Sequence, residues 1–183
     1  ADGVAELGGL DIVVANAGIL SIAIDEPTDP AERARVWQTT LDVNLTGAWN
    51  TLEAVAPVMR DAGKGGAIVI TSSTQGLKYA ANNDIALTAY TASKHGLVGL
   101  MRCFAADLAP YGIRVNATAP GGVATANMAR ILEDAELRRS YETSVPLGRL
   151  GVPEDAANCA VFLASDAAAW ISGATILVTG GRP

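Results

Sequence analysis

The sequence is short of the residues that usually announce metal sites, disulfides and nucleic-acid binding. It holds two cysteines and one histidine in 183 residues. Cys103 and Cys159 each sit inside an apolar helical pattern, so a disulfide framework or a metal centre has no support and both read as buried thiols. Basic charge is scarce as well: 13 Lys and Arg against 19 Asp and Glu leave a formal net charge of −6 without any cationic block. That removes the electrostatic footprint a phosphate backbone or an anionic lipid surface requires. No apolar run approaches the roughly 20 residues of a membrane span. The opening ADGVAELGGL has neither the basic start nor the apolar stretch of a secretory signal. The expectation is a cytoplasmic protein with no metal, no nucleic acid and no membrane among its partners.

What is present is small and apolar. Half the residues are hydrophobic, only 5% are aromatic and 19 are glycine, which suits a sheet packed closely against helices better than a sandwich or a disordered tail. Residues 1–183 read as one domain with one core. Four short runs, 11–16 (DIVVAN), 67–73 (AIVITSS), 113–120 (IRVNATAP) and 175–181 (TILVTGG), are apolar without alternation. They therefore read as parallel strands covered by helices on both faces. Between them lie segments of helical period. One helix is expected from Asp29 as N-cap and Pro30 through to Gly63. A second, roughly 89–109, is capped by Thr88 and buries Leu97, Leu100, Met101, Phe104 and Leu108. A third starts at Pro153 with Glu154 and Asp155 in its first turn. The fold class is α/β. In such sheets ligands bind beyond the carboxyl ends of the strands, here Asn16-Ala17-Gly18, Ser72-Ser73, Pro120-Gly121-Gly122 and Gly180-Gly181.

The stretch TAYTASKHGLVGL places Tyr90 and Lys94 one helical turn apart, so both can face that edge. A free phenol titrates near pH ~10. A nearby ammonium, helped by the helix N-terminus if Tyr90 lies in the first turn, would stabilise the phenolate and make Tyr90 a usable general acid/base. A surface Tyr–Lys pair is the plain alternative. Ser73 ends a strand and leaves a hydroxyl at the same edge, or is simply a turn residue. Asn44, in LDVNLTG, is a polar residue inside an apolar helical stretch, and marks either a helix bend or a functional relay.

In order and approximate spacing, VANAG, DVNLTG, IVITSSTQG, YTASK, IRVNATAPGGVAT and the terminal TILVTGG closely resemble the short-chain dehydrogenase/reductase family over essentially the whole chain. The resemblance implies a doubly wound, Rossmann-like sheet and an oxidoreductase that moves hydride between NAD or NADP and a secondary alcohol or ketone. It makes Tyr90 the acid/base. Lys94 then lowers the pKa of Tyr90 and hydrogen-bonds the nicotinamide ribose, Ser73 polarises the substrate oxygen, and Asn44 holds a relay water. Asn16, Ala17 and Gly18 would border the adenosine part of the cofactor, and Pro120, Gly121, Val123 and Thr125 its nicotinamide end. The family commonly pairs its long helices between subunits, so a homodimer or homotetramer is expected. The helix TAYTASKHGLVGLMR also resembles an actinobacterial branch that includes carveol dehydrogenases and mycofactocin-linked enzymes.

The departures are a long interval between Ser73 and Tyr90, which adds a pocket wall over 77–87; Thr179 where the family usually has Asp; and the absence of a TGxxxGxG loop, since GVAELGG precedes a strand instead of following one. The sequence therefore reads as lacking the N-terminal βαβ part. A rival reading is a non-catalytic fragment or scaffold unable to bind the dinucleotide. A Ser–Lys hydrolase built on Ser73 lacks a nucleophile elbow. His95 and the three tryptophans read as surface, interface or packing residues, and 129–141 as a charged amphipathic helix over the pocket, with Met128 and Ile131 toward substrate.

Overall fold

The computed structural model describes residues 2–20, 27–78 and 84–182. Four parallel strands, β1 (Ile12–Ala15), β2 (Gly66–Thr71), β3 (Ile113–Pro120) and β4 (Thr175–Val178), lie in the order β1-β2-β3-β4. All four expected strands are present, and all four carboxyl ends fall on one edge.

Strand residues divide between two helical layers by the period-two alternation of a pleated strand. Ile68 and Ile70 of β2 turn toward α3 (Gly47–Ala62) and α4 (Ile85–Leu108), where they join Leu52, Met59, Leu97, Met101 and Leu108 in the larger core. Val69 points the other way, to Leu163 of α7 (Pro153–Ala164) and to Ala168. The doubly wound arrangement is thus realised at β2 and β3. It is not complete at the edges: Val13 and Ala15 of β1 pack on the larger core, whereas Ile12 and Val14 are 54% and 50% exposed.

The helix expected over 29–63 is real at both ends and interrupted in the middle. Asp29 caps α2 (Pro30–Leu41), its Oδ2 accepting the Glu32 N–H at 3.2 Å, and Gly63 closes α3 in the left-handed conformation at φ 63°. Between them Asp42–Thr46 forms one π-helical turn, the kind of insertion that frees backbone groups and re-aims a side chain. Its centre is Asn44. α4 begins earlier than expected. Asp84, not Thr88, is its cap, with Oδ1 accepting from Ala86 N at 2.8 Å and Leu87 N at 3.2 Å. The amphipathic stretch 129–141 is two helices, α5 (Ala129–Glu133) and α6 (Ala135–Thr143), because the Asp134 carboxylate starts a new helix by accepting from Glu136 N and Leu137 N. Among the described residues no helix is long and apolar enough to cross a membrane. Both cysteines are free. Contrary to expectation Cys103 is exposed, because α4 turns it to the outer face; Cys159 is half-buried, and burial pushes its thiol pKa up.

Candidate active site

The carboxyl end of β2 and the second turn of α4 carry the central residues. Ser73 follows β2 in extended conformation and caps a single 3-10 turn, Thr74–Gly76, its Oγ accepting the Gln75 N–H at 3.1 Å. That turn lets the chain leave the sheet and brings Ser73 to α4, close enough for its side chain to act on the Tyr90 phenol. Close approach here demands glycine: a Cβ on Gly76 would lie 2.5 Å from Ser72 Oγ and 2.6 Å from the Lys94 carbonyl oxygen. Ser72 Oγ also donates to that carbonyl at 3.1 Å, so the end of β2 is tied to α4 at the residue that matters.

Lys94 is 3% exposed. Its Nζ donates to the Thr71 carbonyl at 2.8 Å and stands 5.4 Å from the Tyr90 ring centroid. Asn44 is fully buried. Its Oδ1 accepts the Ile19 N–H at 2.7 Å, and its Nδ2 donates to the Ile19 carbonyl at 2.9 Å and to Ser93 Oγ at 3.1 Å. Ser93 Oγ in turn donates to the Tyr90 carbonyl at 2.7 Å. One amide thereby clamps the segment after β1 and, through Ser93, the backbone of the turn that carries Tyr90. Both Nδ2 protons are used, while Oδ1 keeps a lone pair. A Cβ on Gly18 would sit 3.3 Å from that oxygen and 3.4 Å from Lys94 Nζ, so Oδ1 and Nζ border the same small space.

Electrostatics depart from the expectation in one respect. The Tyr90 phenol is not lowered: burial raises it above its ordinary value, and the Ser73 hydroxyl offsets this only in part. Two geometric facts explain the difference. Tyr90 is the sixth residue of α4, beyond the first turn where a helix N-terminus acts strongly. Lys94 directs a proton at a backbone carbonyl, and burial lowers its own ammonium to about 8.

The remaining candidates lie along the same edge. Asn16, Ala17 and Gly18 are exposed just past β1, and Asn16 Oδ1 accepts from Thr71 Oγ1 at 2.9 Å. Pro120 ends β3. Gly121 N donates to the Val178 carbonyl at 3.0 Å, Val123 bridges Gly151, and Thr125 Oγ1 donates to the Val123 carbonyl at 3.3 Å. The turn 120–125 is thus pinned to the end of β4 but makes no hydrogen bond to the Tyr90 group among those described. Part of the expected wall over 77–87 falls outside the described residues. His95 is exposed, with Nδ1 3.0 Å from the Thr91 carbonyl oxygen, and Trp170 is 99% exposed. Sequence reasoning missed Ser93 and placed Ser72 at the strand end without a role of its own. Ser93 had a signal, since it lies three residues after Tyr90 on the same helical face; Ser72 had only its place in the Ser-Ser pair.

The donor set suits a nicotinamide cofactor. Lys94 offers Nζ protons beyond the one given to Thr71, and the Gly18 position leaves open the space over Nζ and Oδ1 that a side chain would fill. The comparisons agree. A family model described as enoyl-(acyl carrier protein) reductase matches residues 1–182. An L-rhamnose 1-dehydrogenase (NAD(P)(+)) of Azotobacter vinelandii is 43% identical over 95% of this chain and 65% of its own length; the chain spans about two thirds of the curated relatives it matches. Among solved structures, a short-chain type dehydrogenase/reductase from Mycobacterium marinum superposes with a TM-score of 0.85 at 35% identity, covering 99% of this chain and 68% of that one. A gluconate 5-dehydrogenase from Burkholderia cenocepacia, in complex with NADP and tartrate, gives 0.85 at 34% identity with the same coverage.

Proposed function

The chain belongs to the short-chain dehydrogenase/reductase family, and on that premise we propose that it serves a cytoplasmic oxidoreductase which interconverts a secondary alcohol and a ketone with NAD or NADP, residues 1–183 forming its catalytic domain. The observation that carries the reading is the convergence of Tyr90 and Lys94 on α4 with Ser73 at the end of β2 and with Asn44, which reaches the Tyr90 carbonyl through Ser93. A bound nicotinamide supplies the hydride in reduction and accepts it in oxidation.

The chain's residues supply the proton. With its pKa raised, Tyr90 is protonated throughout the neutral range, so it is a donor poised to give Oη–H to a carbonyl oxygen as that oxygen becomes an alcohol. Ser73, close enough to the phenol to act on its pKa, orients that oxygen and stabilises its developing charge. The phenolate left behind is reprotonated from the side of Lys94, which at pH 7 is still mainly ammonium with a pKa of about 8. A water on the free lone pair of Asn44 Oδ1 completes the path to solvent. Asn16–Gly18 and Pro120, Gly121, Val123 and Thr125 border the two ends of the cofactor.

The same reading includes a homodimer or homotetramer. Leu45, Thr46, Trp49, Gly96, Leu100 and Cys103 line an open, mostly apolar groove of about 410 Å3 on the outer face of α3 and α4, with Trp49 46% exposed, and a second copy covers such a face economically. Light scattering at micromolar protein checks this; a monomer overturns the interface. The chemistry is tested with Lys94→Ala, which should weaken both cofactor binding and turnover. Loss of only one of the two contradicts the dual role of Lys94.

A further inference from the structure

Arg182 is conspicuous in a chain of net charge −6. Its guanidinium carbon lies 4.3 Å from the ring centroid of Tyr141, and among the described residues it joins no ion pair. Glu142, beside Tyr141 on α6, is committed to Arg138 at 3.0 Å. An arginine stacked on an aromatic face keeps the N–H donors on its rim free and pre-oriented for a planar anion. Those donors border a cavity of about 240 Å3 whose other walls are Ser140, Tyr141 and Ser144 on one side and the apolar Ile131 and Leu137 on the other. Ser144 Oγ donates to the Tyr141 carbonyl at 2.6 Å, which leaves the Ser140 hydroxyl as a further donor.

Arg182 is also held from behind. Gly180 and Gly181 take positive φ angles of 63° and 89°, a turn that side chains resist. Leu147 N donates to the Gly180 carbonyl at 3.0 Å and Arg182 N to Thr179 at 3.3 Å. On the far side the Tyr141 hydroxyl rests against Gly122, where any Cβ would overlap it. Gly122 belongs to the 120–125 turn, so the cavity shares a wall with the segment proposed to meet the nicotinamide end.

We infer that this cavity is a subsite for a carboxylate or phosphate group, gripped by Arg182 and the Ser140 hydroxyl, and carried either by the substrate or by a free anion. The substrate assignment rests on the oxidoreductase reading; binding of the anion does not. Titration calorimetry of inorganic phosphate into the protein, at constant ionic strength, should show saturable millimolar binding. Arg182→Gln should weaken it about tenfold or more and Arg182→Lys less, because lysine keeps the charge but loses the two-point grip. Thermal unfolding of both variants near that of the parent excludes misfolding as the cause, and Tyr90→Phe should bind phosphate unchanged even with turnover abolished. If phosphate raises the apparent KM of a carboxylate-bearing ketone without altering kcat, the subsite takes the substrate's own group; if phosphate binds without that competition, it serves a free anion. Absence of saturable binding, or the same affinity in Arg182→Gln, overturns the inference.

Discussion

The two halves of the strand-end edge are built on opposite plans. At the ends of β1 and β2, Asn44, Ser72, Ser93 and Lys94 are all buried; Asn44, Ser72 and Lys94 are tied by hydrogen bonds to backbone of another segment, and Ser93 links the Asn44 side chain to the Tyr90 carbonyl. At the ends of β3 and β4, Thr125 and α6 are exposed, and the geometry is held by glycine turns, a Gly122–Tyr141 contact and one stacked arginine. The first half fixes a proton donor to within a hydrogen bond, as chemistry requires. The second leaves a wall that can be re-cut for a different substrate while the sheet stays intact.

If that contrast is right, changes in the first half should cost stability as well as activity. Asn44→Ala should be the most damaging, because it strands the Ile19 N–H and carbonyl and the Ser93 hydroxyl at once; about 3–5 kcal/mol lost by chemical denaturation is expected. Lys94 sharpens the comparison through pH. Its ammonium is lowered from 10.5 to about 8 by burial, so the unfolded chain binds the proton more tightly than the folded one. Unfolding free energy should therefore rise as pH increases from about 8 to 10.5, by about 3 kcal/mol in total, and stay at its lower level below pH 8. Lys94→Met should flatten that rise. Gly76→Ala, which drives a methyl into Ser72 Oγ and the Lys94 carbonyl, should cost about 1–3 kcal/mol. In the second half, Met128→Ala should change stability by less than about 0.5 kcal/mol and show mainly as a higher KM. A loss there as large as that of Asn44→Ala would break the comparison.

The sequence was most legible where local pattern alone decides the element. The four strands, the Pro30 and Pro153 helix starts and the Gly63 stop follow from patterns that local chemistry alone sets. The π turn at Asp42–Thr46 was not legible as such, since Leu41, Val43 and Leu45 continue an unbroken apolar pattern through it; only the buried polar Asn44 hinted at a bend. Asp84 and Thr88 offer equally good capping chemistry four residues apart, and pattern alone does not choose between them; the Asp84 carboxylate takes the role by accepting from Ala86 N and Leu87 N. The raised phenol of Tyr90 was out of reach, because spacing shows a nearby amine but not that its proton is spent on the Thr71 carbonyl. Cys103 illustrates the same gap: the period of α4 is apolar on more than one face, and the side turned outward cannot be told from composition.

The central claim is that Tyr90 gives its proton to the substrate oxygen. Steady-state reduction of a ketone substrate by Tyr90→Phe, together with cofactor titration of the same variant, tests it most directly. Turnover should fall by ~10²-fold or more, with cofactor affinity nearly unchanged because Lys94 and the strand-end segments remain in place. Turnover close to that of the parent would contradict the account and remove Tyr90 from the chemistry.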